Sequence, residues 1–351
     1  MHRILRKVDI HSHVMPMEIY GSGGAYGPEI IRDPATGYSM YRAGRWQSAP
    51  GTFQLKDQPT LFDPSVRLAE MDALEIDVMG VTISPMFYLY GAPLQDAINY
   101  TSLHNDLMAA FCAAAPDRLF FIPTLPLQNI DAALRELERA AGLGGRGINM
   151  GTDNIAGRDL DHQDLYPIYE LAQRLEMPIF LHPAPIGTDD PAYEPAKNVK
   201  DKFGFSWLLG YNYREMVAFA TLVLSGVLDR FPNLKFCIPH GGGFVPFQLG
   251  RVVWAATTPR LGISKCKRPV AEYLANFYFD TVVHDVRARR FLLEICGPDH
   301  IVVGSNYAGW DWVDGFEYAR EMVDNEVDLA KIWAGNAVAL FKLTGMGRPS
   351  A

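Results

Sequence analysis

Two histidines one residue apart, His11 and His13, stand in the apolar run 8–13. Residues i and i+2 of a β-strand project to the same side, so both imidazoles can grip one divalent ion. His182 ends another apolar run, 178–182, just before Pro183. Alone, a His-Pro at a strand end reads as an ordinary satisfied histidine; beside His11-Ser12-His13 it reads as a third ligand. Zinc and similar ions accept imidazole nitrogen and carboxylate oxygen, and catalytic sites keep one position open for water. Asp9 shares the parity of the pair. It either faces with them or orients a ligand from below. His240 opens His240-Gly241-Gly242-Gly243. Three glycines let a substrate approach the backbone closely, and an imidazole there suits proton transfer near neutral pH. The plain alternative is a histidine capping a glycine turn. Asn306 forms the polar tip of the run 301–306. Asp311, five residues on, reads as a solvated loop or cap residue rather than a substitute carboxylate.

The elements that must position these residues recur along the chain. Short apolar, β-branched runs occupy 8–13, 78–84, 119–125, 147–151, 178–182, 234–240, 277–283 and 301–306. Helical periodicity fills the intervals. Leu165, Ile168, Tyr169, Ala172 and Leu175 form the stripe of a helix lying on a sheet. A similar helix is expected over 216–231, stopped by Pro232-Asn233. Strands alternating with helices imply an α/β fold with a parallel sheet, and eight units imply a closed (β/α)8 barrel. No composition break divides the chain, so one domain over 1–351 is expected. His11, His13, His182, His240, Asn306 and the pair His284-Asp285 all fall at or just past strand C-terminal ends, the face where such barrels place their chemistry.

Two loops are long, 14–62 after the first strand and 184–210 after the fifth. Their aromatic residues (Tyr38, Tyr41, Trp46, Phe203, Phe205, Trp207) argue for ordered packing over a site or against another subunit. Of the 351 residues 48% are apolar and 21% charged, an ordinary globular balance. A net charge of −8 without a dense Lys/Arg stripe argues against a general nucleic-acid binder. Cys112, Cys237, Cys266 and Cys296 are scattered without metal or redox spacing. The basic N-terminus is too short for a signal peptide, and no apolar run reaches membrane-spanning length. A cytoplasmic setting without membrane partners is the expectation.

In order and spacing, the chain resembles the metal-dependent amidohydrolases of the aminocarboxymuconate-semialdehyde decarboxylase type. The likeness is carried by Asp9-Ile10-His11-Ser12-His13, by Asp63-Pro64-Ser65-Val66-Arg67 with Glu70-Met71-Asp72, and by Thr124-Leu125-Pro126. It continues through Leu181-His182-Pro183, Phe231-Pro232-Asn233-Leu234-Lys235 and His240-Gly241-Gly242-Gly243. Pro246-Phe247, Gly250-Arg251, Val283-His284-Asp285 and Ala334-Gly335-Asn336-Ala337 complete it.

The resemblance implies a distorted TIM barrel, one zinc (or manganese or iron), homodimers or larger assemblies, and a small carboxylic acid substrate. Its usual chemistry is non-oxidative decarboxylation, with hydration or C–C hydrolysis in some relatives. By position it makes His11, His13 and His182 metal ligands and His240 the acid/base acting with metal-bound water. Arg251 matches an arginine that reaches a neighbouring subunit's substrate carboxylate, a role suited to a guanidinium fork. Trp207 matches a pocket tryptophan. A basic residue of the first loop should also meet the substrate; among Arg42, Arg45 and Lys56, Arg45 is taken. Ala184 stands where the family has tryptophan, which points to a different substrate from aminocarboxymuconate semialdehyde.

Asn306 stands where the family has aspartate, a metal ligand and proton carrier. An amide there is a weaker ligand and no base. It marks either an engineered inactivating change, or a native one in a chain with altered chemistry or a non-catalytic paralogous subunit.

Overall fold

The structure is a computed structural model that describes residues 6–44, 46–48, 58–184 and 203–347. Eleven strands occur among the described residues. They are β1 (Val8–Val14), β2 (Glu29–Arg32), β3 (Ser39–Ala43), β4 (Trp46–Gln47), β5 (Val78–Ile83), β6 (Leu119–Ile122), β7 (Ile148–Met150), β8 (Ile179–Leu181), β9 (Phe236–Ile238), β10 (Phe277–Asp280) and β11 (Ile301–Val302). Eight of these coincide with the eight apolar runs, trimmed at their ends.

Parallel pairing runs β1-β5-β6 and β7-β8-β9-β10-β11. Backbone bonds join the two runs at both edges. On one side Arg146 donates to the Phe121 carbonyl and Asn149 to that of Pro123, at 3.0 and 2.7 Å. On the other, Ile10 donates to the Val303 carbonyl at 3.0 Å, and Ser12 bridges to Tyr307. The strands therefore close into a ring with helices between them, as expected of a TIM barrel. Completely buried strands such as Val78–Ile83 read as unbroken apolar runs because both faces are covered.

The helix over 216–231 is in fact two, Gly210–Leu224 and Val227–Arg230. Gly226, at φ 83°, lies at the break. Within the first long loop, β2, β3 and β4 form an antiparallel sheet in which Ile30 faces Tyr41 and Ile31 faces Met40. This sheet lacks a long apolar run, so its pattern did not stand out. The second long loop lies mostly outside the described residues, together with its lysines 197, 200 and 202. Arg45 and Lys56 of the first loop are outside them as well.

Below the histidines Val8, Ile10, Val78, Phe120, Phe180 and Val302 pack against Ala337, Leu340 and Phe341 of the C-terminal segment. Phe180 meets the His11 ring edge-on, with centroids 5.3 Å apart. The imidazoles thus stand on a rigid apolar floor. Arg67, fully buried, fixes the strand they occupy: it donates to the His13 carbonyl and to Thr60 Oγ1, both at 2.8 Å, and to Ser12 Oγ at 3.2 Å.

Candidate functional site

Strand β1 shifts register against β5 between Asp9 and Ser12. Asp9 accepts from the His11 backbone N–H at 3.0 Å and from Ser305 N–H at 3.2 Å, and also bonds the Ser305 hydroxyl. Its carboxylate therefore supports the strand that carries His11, and ties the first barrel strand to the last. Burial raises its pKa to about 6 despite those donors.

His11, His13, His182 and His240 come together on one face. His11 and His13 have ring centroids 5.2 Å apart, and His182 lies 5.2 and 5.4 Å from them. His240 sits 5.5 Å from His11 and 5.3 Å from His182. Each ring is fixed through Nδ1. His11 Nδ1 meets Asp280 Oδ2 at 2.7 Å, His13 Nδ1 meets Thr82 Oγ1 at 3.0 Å, and His182 Nδ1 meets the Pro183 carbonyl at 2.7 Å. Such bonds set the tautomer that leaves Nε2 available. The Nε2 atoms of His11 and His182 are buried without a hydrogen-bond partner. Leaving such an atom unsatisfied costs about 1–3 kcal/mol, whereas an ion would satisfy both at once. Burial and the neighbouring imidazoles push His13 and His182 well below the ordinary histidine value, so both stay neutral and free to donate lone pairs. The donor set thus fits a divalent ion.

The geometry divides the imidazoles less cleanly than the sequence did. Ligand atoms of His11, His182 and His240 all lie within 4.8 Å of one another. His13 Nε2 instead meets Asn306 Oδ1, at 3.1 Å. His240 is set apart by its partner, Glu215, whose Oε1 lies 2.6 Å from its Nδ1. Burial alone would push His240 down. The charge and hydrogen bond of Glu215 outweigh it, with help from Asp280 and Asp311, and hold the pKa at about 9. Burial pushes the Glu215 carboxyl itself up to about 7, so the two groups share a proton that Glu215 holds on the imidazole, which places His240 to donate a proton rather than a lone pair.

The three glycines after His240 are needed for close packing, and Gly243 also lines the cavity above the histidines. Gly241, Gly242 and Gly243 all have positive φ. A Cβ on Gly243 would lie 2.3 Å from the Asn212 carbonyl oxygen and 2.7 Å from Glu215 Oε2. Glycine here lets the helix Gly210–Leu224 bring Glu215 against His240.

Asn306, 2% exposed and at φ 52°, turns its side chain into the cluster. Its Nδ2 donates to Asp311 Oδ1, and Asp311 Oδ2 lies 3.5 Å from His284 Nε2. Asp311 is thus part of the site and not a solvated loop residue. Asp285, by contrast, caps the helix Val286–Cys296 by accepting from Arg287 N–H at 2.8 Å.

A cavity of about 240 Å³ opens above the histidines, lined by Trp207, Tyr211, His240, Val283, His284, Trp310 and Asp311 among others. Trp207 and Trp310 meet at 4.4 Å between ring centroids and form an aromatic wall. Trp207 thus lines the cavity above the histidines. Arg251 is exposed on the helix Val245–Ala256 and does not line this cavity.

Two supporting acids escaped sequence reasoning. Asp280 was visible as a lone acid in the run 277–283, and it also accepts from Gly241 and Val282 N–H at 3.1 and 3.0 Å. Glu215 lies just before the apolar pattern at 216–231, and nothing local marks it.

A family model described as amidohydrolase matches residues 8–343. A 2-amino-3-carboxymuconate-6-semialdehyde decarboxylase of Dictyostelium discoideum is 29% identical over 310 residues, 86% of this chain and 81% of that protein. A gamma-resorcylate decarboxylase of Rhodococcus jostii (strain RHA1) is 30% identical over 322 residues, 84% of this chain and 92% of that one. Among solved structures, a 5-carboxyvanillate decarboxylase of Novosphingobium aromaticivorans, complexed with manganese and 4-hydroxy-3-methoxy-5-nitrobenzoic acid, aligns with a TM-score of 0.78. That alignment covers 97% of each chain at 22% identity.

Proposed function

Since the chain belongs to the amidohydrolase family, we propose that it is a metal-dependent, non-oxidative decarboxylase of a small aromatic or unsaturated carboxylic acid. The observation that carries this reading is the pairing of two partnerless buried Nε2 atoms with an imidazolium, His240, beneath an aromatic-walled cavity. His11, His13, His182 and Asn306 Oδ1 are the groups that would hold the ion. A divalent cation bound there would polarise a substrate oxygen. Zinc is the proposed ion; manganese or iron suits the same donors.

His240 supplies the proton. Its Nδ1–H is held by Glu215, which leaves Nε2–H for the cavity. As the bond to the carboxyl carbon breaks, carbon dioxide departs and the electron pair left behind takes that proton. Trp207 and Trp310 hold the apolar part of the substrate and exclude water. Arg251, exposed outside its own cavity, is proposed to anchor a substrate carboxylate in a second copy, which makes the homodimer part of this reading. Arg45 is kept as a further carboxylate anchor. One domain throughout and a cytoplasmic setting belong to the proposal; no helix among the described residues is long and apolar enough to cross a membrane.

Incubation of the metal-loaded chain, and of Asn306→Asp, with a panel of hydroxybenzoate- and muconate-type acids should release carbon dioxide only when the metal is present. Silence across the panel in both proteins would sink the proposal. Gain of water by a substrate would move it to a hydratase.

A pH dependence follows from Glu215. The acidic form of His240 is present below its pKa of about 9 and lost above it, so turnover should fall on that alkaline side. Glu215→Gln removes the largest raising charge and leaves only Asp280 and Asp311 to oppose burial. The alkaline limb should then move down from about 9. A pH–rate profile whose alkaline limb stays in place in Glu215→Gln would show that His240 is not the group titrating.

A further inference from the structure

We infer that Asp311 is a positioning residue that makes the neutral amide of Asn306 serve as an oxygen donor. The inference rests on the proposal that an ion sits among the histidines and Asn306. The two ends of a carboxamide are nearly the same size, and its hydrogen-bond network decides which one faces a site. An ionised carboxylate only accepts. Asp311 takes the Asn306 Nδ2–H, so Oδ1 must point the other way, and it does, 3.1 Å from His13 Nε2.

The turn is built for this arrangement. Gly309 N–H donates back to the Asn306 carbonyl at 2.8 Å. A Cβ on Gly309 would lie 2.1 Å from Asn306 Oδ1, so only glycine leaves the carboxamide in place. Asp311, 10% exposed at its side chain, also faces His284 at 3.5 Å. A hydrogen bond to a full negative charge polarises the amide and adds electron density to Oδ1. The chain thereby keeps an anion at this corner, one hydrogen bond further from the imidazoles than a ligating aspartate would place it.

The test is manganese affinity, read without substrate from the electron paramagnetic resonance signal of free Mn2+. It compares the full chain, Asp311→Ala, Asp311→Asn, Asn306→Asp and the exchanged pair Asn306→Asp/Asp311→Asn. Thermal melting confirms that each variant folds. Asp311→Ala should bind about tenfold more weakly, the usual effect of losing a group that orients a ligand. Asp311→Asn should weaken binding in the chain but not in the Asn306→Asp background, where the new amide donates to the new carboxylate. Undiminished affinity in Asp311→Ala would overturn the inference. So would an equal loss from Asp311→Asn in both backgrounds, which is the mark of a charge acting through space. Absence of Mn2+ binding in every protein would instead remove the ion itself, and the inference with it.

Discussion

Replacing His240 by glutamine lowers turnover by about three orders of magnitude and leaves the divalent ion in place. Glutamine approximates the reach of the imidazole but carries no transferable proton at neutral pH. The size of the effect is that of losing a positioned general acid. The ion should stay because His240 is held as an imidazolium by Glu215 and offers no lone pair. The contrast matters because a ligand atom of His240 lies within 4.8 Å of those of His11 and His182. Carbon dioxide release and elemental analysis on the same sample separate the two roles. Loss of the ion in His240→Gln would make His240 a ligand rather than the acid.

Stripping the ion with a chelator should abolish turnover, and added zinc or manganese should restore it. In His182→Ala restoration should fail. The Nδ1 of His182 is committed to the Pro183 carbonyl, and its Nε2 lies buried and unpaired beside that of His11. Removing one of two such nitrogens opens the donor set and leaves the other orphaned. Reloading should also stabilise the folded chain by about 2.7 kcal/mol when the free ion stands at 100 times its dissociation constant. A melting temperature that does not respond to zinc or manganese would count against an ion at these residues.

Much of this site could be read before the fold was known, for a physical reason. Barrel strands are buried on both faces, so a histidine ending an apolar run stands out, as His11, His13, His182 and His240 do. The groups behind the histidines could not be read in the same way. Asp280 is 269 residues from His11, and Glu215 comes to His240 from a helix 25 residues earlier. Only closure of the ring brings those carboxylates to the imidazoles. Asp311 reads from the sequence alone as a solvated loop or cap residue. The tight turn at Asn306 and Gly309 is what swings it inward. The glycines after His240 were legible as room for a substrate, and Gly243 does line the cavity, but the close approach of Asn212 and Glu215 that it also permits comes from a helix that nothing local points to.

Elemental analysis of this chain and of Asn306→Asp, prepared side by side, bears most directly on whether the strand-end histidines hold a metal. About one divalent ion per chain is expected in both, because the imidazoles supply most of the donors and Asp311 keeps the Asn306 oxygen turned toward them. An ion in the Asn306→Asp protein alone would mean that the amide disables the site, and an ion in neither would mean that these histidines are not a metal centre.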